Sequence, residues 1–140
     1  MSELREIRRV FQGLQTLYEI HIPKADPSLI SDLLVREQEN PKVVPMYTLE
    51  VFTKEGTDPE ASRSHIMKTT GMATAIYDKG THFVTHMRLT PEILKKLNDF
   101  EHVLEIMGDY TGTDASTGPR HNLGDFRKRY QDDSRQKNIS

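Results

Sequence analysis

The chain has 140 residues, which fits one domain and leaves little room for a second. Its net charge of −2 gives no general attraction to nucleic acid or to acidic membranes, and the lack of cysteine excludes disulfides, thiol catalysis and cysteine-ligated zinc. No apolar run reaches the ~20 residues that a membrane helix needs, so we expect a cytoplasmic protein without a membrane partner.

The first residues carry two apolar patterns. Apolar residues at helical spacing predict a short N-terminal helix, which Ser2 caps: Leu4, Ile7, Val10 and Phe11. From Leu14 to Ile22 the apolar residues instead alternate with polar ones, which predicts the first strand.

A helix, a strand and a loop are predicted next. Asp26-Pro27 predicts the start of the helix, because aspartate caps free N–H groups and proline fits the first turn. Asn40-Pro41 predicts its end. Residues 43–54 predict the second strand, and residues 55–65, rich in Gly, Asp, Pro and Ser, predict a loop.

Residues 66–89 predict a β-hairpin. Two strand-like runs flank Asp78-Lys79-Gly80, which predicts a three-residue turn. In that register one face is suited to packing under a helix, and the other face is predicted to be open. This predicted open sheet face comprises Met72, Ile76, His82, Val84, His86 and Arg88. The assignment fails for a turn of two or four residues, because a one-residue slip exchanges the faces.

A final helix and strand complete the predicted fold. Thr90-Pro91-Glu92 predicts the helix start, and residues 104–110 predict the last strand. The resulting order, βαβ-ββαβ with a short N-terminal helix and a polar C-terminal tail, predicts a ferredoxin-like α+β sandwich. Because unrelated proteins share that fold, it indicates little about function.

The chain becomes polar from Gly112 onward. We therefore predict a single α+β domain over residues 1–111 and a flexible or docking tail over residues 112–140. Apolar residues at helical spacing surround a basic run in this tail, and we predict that these residues bind a partner: Leu123, Phe126, Arg127, Lys128, Arg129 and Tyr130. Such a pattern is typical of a segment that becomes helical on a partner or on its own domain, or of a disordered tail.

Two histidines stand at a spacing that zinc sites use on helices. His82 and His86 are four residues apart, but the residues around them favour a strand, along which that separation spans about 13 Å. The pair therefore cannot share one tetrahedral ion. We predict no metal, no cofactor and no catalytic residue, and an enzyme is not favoured.

The run over residues 79–86 matches part of the RNA-recognition-motif signature, at Lys79, Gly80, Phe83 and Val84. Thr81 and His86 replace aromatic residues of that signature, and Phe83 is predicted to lie under a helix. A base-stacking platform needs aromatic rings on the open face, so this partial match gives RNA binding limited support.

Three functional hypotheses follow from these patterns. The first is a small non-enzymatic interaction or regulatory module that forms a homodimer through the open sheet face and binds a protein partner through the tail. The second is an RNA-binding α+β domain that uses its lysines and arginines. The third is a dimeric small-molecule-binding protein or enzyme, whose pocket contains His82, His86 and Arg88.

Overall fold

The computed structural model describes residues 2–112 and 118–129, which form an α+β fold with one open antiparallel sheet of four strands. The helices are α1 (Ser2–His21), α2 (Pro27–Glu39), α3 (Pro59–Thr70) and α4 (Pro91–Asn98). The strands are β1 (Met46–Thr53), β2 (Ala75–Tyr77), β3 (His82–Arg88) and β4 (Val103–Tyr110). No helix within these two ranges is long and apolar enough to cross a membrane.

Three of the helices begin with the same local signal. Asp26, Asp58 and Thr90 each precede a proline, and each side chain accepts a hydrogen bond from a backbone N–H group of the first turn at 3.0 to 3.2 Å. These bonds satisfy donors that a helix start leaves free. The predicted helices after Asp26 and Thr90 are confirmed.

The predicted first strand is wrong, because residues 14–21 continue α1. The alternation of apolar and polar residues from Leu14 to Ile22 indicates a strand, but Leu14, Leu17 and Tyr18 also have the spacing of a helix. Over so few residues the pattern does not distinguish the two structures. Tyr18 is the one buried residue of α1 and packs into the domain core, where it favours the helix.

The predicted loop over residues 55–65 extends only to Asp58, because α3 begins at Pro59, and the predicted start of the hairpin is wrong. Asp58 caps α3, whose buried Ile66 packs into the core, and the helix ends at Gly71 in the left-handed conformation. Strand β2 is therefore only three residues long. The described residues thus form four strands, whereas the sequence predicts five.

The sheet has the strand order β2-β3-β1-β4, with every neighbouring pair antiparallel. The main core lies between one face of the sheet, the helix-covered face, and the helices. Alternate residues of β1 and β3 point into it. The chief contributors are Tyr47, Leu49, Val51, Phe83 and Met87 from the strands and Leu29, Leu33, Ile66, Leu94 and Leu97 from the helices.

The turn between β2 and β3 differs from the predicted one. Ala75 pairs with Val84 and Tyr77 pairs with His82, so four residues connect the paired ends instead of three. Since this slip exchanges the faces of β2, Ile76 lies opposite Phe83 on the helix-covered side. Met72 lies before β2 and outside the sheet, which corrects its predicted position too.

Candidate functional site

The sheet face that lies away from the main core carries polar side chains at its centre. Along β1, Glu50 points away from the face of Leu49 and Val51, because successive residues of a strand alternate. Glu50 pairs with Val84 on β3 and with Met107 on β4, which places its carboxylate in the middle of this face. An acid at the centre of a predicted strand is a signal that sequence reasoning missed, and the structure shows that Glu50 is fully buried.

Residues 118–129, the covering segment, lie across this same face. Phe126 is buried against Phe52 and Met107 in a small second core, and residues 125–129 form a helical turn. The backbone N–H groups of Arg120 and His121 donate to Glu50 Oε1 at 2.9 and 3.2 Å. The central part of the predicted open sheet face is therefore covered by the protein's own chain.

Further contacts fix the covering segment at its second half. The backbone N–H of Gly124 donates to Glu105 Oε2 at 2.6 Å, Arg127 donates to the carbonyl oxygen of Leu104 at 3.0 Å, and Arg129 forms a 2.8 Å ion pair with Asp26.

Of the residues predicted to bind a partner, three thus contact their own domain: Phe126, Arg127 and Arg129. Leu123 and Lys128 are exposed, and Tyr130 lies outside the described residues. Binding of a partner by this segment stays a prediction.

A chain of alternating acids and histidines runs under the covering segment. Asp78 Oδ2 lies 3.0 Å from His82 Nδ1, and His82 Nε2 lies 3.0 Å from Glu50 Oε1. His121 Nε2 follows, 3.6 Å from Glu50 Oε2 and 2.6 Å from Asp109 Oδ2. We call these five residues the acid–histidine cluster. Four of its members come from the sheet and its turn, and the covering segment supplies His121.

Charge pairing stabilises the centre of the cluster. Burial raises the pKa of Glu50, but hydrogen bonds from His82 and from the backbone of Arg120 and His121 outweigh it and hold that pKa below its ordinary value. Burial lowers the pKa of His82, but the bonds to Glu50 and Asp78 raise it overall. Both ring nitrogens of His82 thus face carboxylate oxygens, and the ring of Phe52 stacks on the imidazole at 4.2 Å.

One buried atom of this cluster has no hydrogen bond to the part of the chain that the structure describes. Glu50 Oε2 is buried and has no hydrogen-bond partner among the residues that the structure describes. One oxygen of Glu50, one oxygen of Asp109 and one nitrogen of His121 all lie within 4.8 Å of one another. Two carboxylate oxygens and an imidazole nitrogen are donors that divalent transition metals accept.

The histidines and arginine of the predicted pocket do not converge. His82 is 2% exposed and belongs to the cluster, whereas His86 Nδ1 lies 3.3 Å from Thr48 Oγ1 beside an open groove of about 380 Å³. Arg88 is exposed and donates to the carbonyl oxygen of Val44 at 2.6 Å. The three side chains thus face three different environments.

The aromatic residue of the partial RNA-recognition signature is buried. Phe83 lies fully buried in the main core on the helix-covered face of the sheet. Its ring is therefore not available for a base to stack on.

A broad apolar surface is exposed on α1. Large side chains that are 39% to 63% exposed cover a broad side of this helix: Leu4, Ile7, Val10, Phe11, Leu14, Leu17 and Ile20. We call these seven residues the α1 apolar face. An open groove of about 640 Å³ runs beside Phe11 and Leu14, along Val35 of α2. The helical spacing of Leu4, Ile7 and Phe11 gave part of this signal, but the predicted strand cut the helix short.

Compared with protein families, curated protein sequences and solved structures, the chain matches none of them significantly.

Proposed function

We propose that the protein is a non-enzymatic interaction module that self-associates as a homodimer through the α1 apolar face. The observation that carries this proposal is the exposure of seven large apolar side chains on one helix of 20 residues, of which only Tyr18 is buried. Contiguous apolar surface of this kind marks an interaction site on a folded protein.

The size of the patch supports an interface. Large apolar side chains each present roughly 150–200 Å² when fully exposed, so the α1 apolar face leaves on the order of 600 Å² in contact with water. A stable protein interface buries about 800 Å² on each partner. A second helix packed along α1 and into the groove beside α2 would bury an area close to that value.

The charges of α1 favour a second copy as the partner. Residues 2–11 contain three arginines and two glutamates, whereas residues 12–21 contain one glutamate and no lysine or arginine. Two α1 helices that pair antiparallel across a two-fold axis bring these oppositely charged halves together. The positive end of each helix dipole then lies beside the negative end of the other, which also favours pairing.

The fold assignment belongs to the same proposal. We infer a ferredoxin-like sandwich, because the succession β1-α3-β2-β3-α4-β4 and the strand order β2-β3-β1-β4 are those of the split βαβ arrangement. Helices α1 and α2 precede that unit. On this scaffold α1 is an addition that supplies the interaction surface. The sheet face that was predicted to self-associate is instead covered by residues 118–129.

Sedimentation velocity of the full chain over a dilution series tests the proposal. The Ile7→Glu variant places a charge in the middle of the apolar face and is expected to weaken the dimer at least about tenfold, because a buried unpaired charge opposes association.

Gln12→Glu is the matched control, since it makes the same change of charge on the opposite side of the same helix. Circular dichroism checks that both variants keep their helices. A wild-type chain that sediments as a monomer at every concentration contradicts the proposal, and so does equal weakening by the two variants.

A further inference from the structure

We propose that Glu50, Asp109 and His121 form a binding site for a divalent transition-metal ion of the zinc class. The site is independent of the α1 apolar face, and it lies on the opposite face of the sheet from the main core. One ligand comes from β1, one from β4 and one from the covering segment. A bound ion would therefore tie the covering segment to the two strands.

The distances suit such an ion. Around tetrahedral zinc, ligand atoms lie about 2.0–2.1 Å from the metal and roughly 3.3 Å from one another. In the structure His121 Nε2 lies 3.6 Å from Glu50 Oε2 and 2.6 Å from Asp109 Oδ2. One ligand atom of each residue lies within 4.8 Å of the other two, so small rotations of the Asp109 and His121 side chains would bring all three donors to one ion.

An independent observation comes from Glu50 itself. Its side chain is fully buried, and Oε2 has no hydrogen-bond partner within residues 2–112 and 118–129. Leaving a buried acceptor unpaired opposes folding, and more strongly when the group is charged. This oxygen points toward His121 and Asp109, and a cation between the three residues would supply its missing partner.

Hydrogen bonds from neighbouring residues orient the carboxylate of Glu50, as they commonly do for the ligands of a metal ion. His82 Nε2 binds Glu50 Oε1 at 3.0 Å, and Asp78 binds the other nitrogen of the same ring. Two backbone N–H groups of the covering segment also donate to Oε1. Since Oε1 is occupied in this way, Oε2 is left as the oxygen that faces the site.

A path to the site exists from solvent. Asp109 and His121 border an open groove of about 300 Å³ between β4 and α2, into which Asp26 and Asp32 also face. Three protein ligands with an open side leave room for a water molecule in the fourth position. One imidazole with two carboxylates favours zinc, cobalt or manganese over magnesium and calcium, which prefer oxygen ligands alone.

The test is isothermal titration of the chelator-treated full chain with Zn²⁺, with Mg²⁺ as the comparison ion. We expect one Zn²⁺ per chain and much weaker binding of Mg²⁺. Asp109→Asn and His121→Asn should each lower Zn²⁺ affinity at least about tenfold, because each removes one of three ligands. His102→Asn, which changes a histidine outside the cluster, should leave the affinity unchanged.

A second readout separates a metal site from a structural ion pair. Co²⁺ in a four-coordinate site gives intense visible absorption, and this absorption should appear with the wild-type chain and His102→Asn but not with His121→Asn. These ligand variants keep Glu50 and its bonds to the covering segment, so the segment can remain docked. Failure of Zn²⁺ to saturate the wild-type chain overturns the proposal, as does Zn²⁺ binding that survives both ligand substitutions.

Discussion

Phe126→Ala tests how the covering segment is held on the sheet. The ring of Phe126 is 8% exposed and packs on Phe52 and Met107, apart from the main core. Truncation of a buried phenylalanine costs about 3–5 kcal/mol in a closed core. Here the segment can detach while the main core stays folded, so we expect about 2–3 kcal/mol, which is roughly a 30- to 150-fold loss in the docking equilibrium.

Hydrogen exchange measures this effect directly. The N–H groups of Arg120, His121 and Gly124 bond to buried carboxylates, so their protection reports docking of the segment. Protection of these amides should fall by roughly 30- to 150-fold in Phe126→Ala, while amides at the centre of β1 change far less. Leu123→Ala is the control, because Leu123 lies in the same segment and is 55% exposed. Equal losses in the two variants would refute the packing role of Phe126.

Two further predictions concern stability. Burial raises the pKa of Glu105 above its ordinary 4.5, despite hydrogen bonds from the backbone of Gly124 and Phe126. The free energy of unfolding therefore decreases as the pH rises from 4.5 through the higher pKa that Glu105 has in the folded protein. Glu105→Gln removes this loss, and urea unfolding should show a gain in stability at neutral pH that vanishes in acid; a variant no more stable than wild type at neutral pH contradicts this. Gly80→Ala should lower the melting temperature more than Gly56→Ala: both glycines have positive φ, but only at Gly80 does a new Cβ strike Pro59. Equal losses would show that backbone strain alone matters.

Local signals in the sequence predicted the elements that local chemistry determines. Aspartate or threonine before proline marked the starts of α2 and α4, because capping and the fixed φ of proline act within one turn. The same signal at Asp58-Pro59 marked α3, but the polar composition of residues 55–65 outweighed it in the prediction of a loop.

Longer-range features lay beyond such signals. Alternation over residues 14–22 fits a strand as well as a helix until the packing of Tyr18 decides between them. The side on which Ile76 lies depends on whether the turn before β3 has three or four residues, and Asp78 and Lys79 both adopt positive φ in the longer one. A one-residue difference of this kind is not encoded in the composition of the turn.

The acid–histidine cluster could not be assembled from the sequence. Its members lie far apart along the chain, and the backbone of His121 meets Glu50 from 71 positions away. His82 and His86 both lie on β3, and His82 is hydrogen-bonded to an acid on a neighbouring strand, which its own sequence neighbours do not indicate. Docking of residues 118–129 creates the site, and that docking depends on the whole sheet.

Electron spin resonance between labelled chains tests most directly whether α1 forms the dimer interface. Because the chain has no cysteine, Gln12→Cys carries a single spin label at the middle of α1. Gln12 lies on the side of α1 away from the apolar face, so the two labels stand on the outer sides of paired helices whose axes are about 8–10 Å apart. Because each helix with its side chains is about 10–12 Å across, we expect a narrow distribution of intermolecular distances between labels at roughly 20–30 Å. Adding Ile7→Glu should abolish it. A dimer whose α1 labels show no such distance, or show it unchanged with Ile7→Glu, would contradict the account.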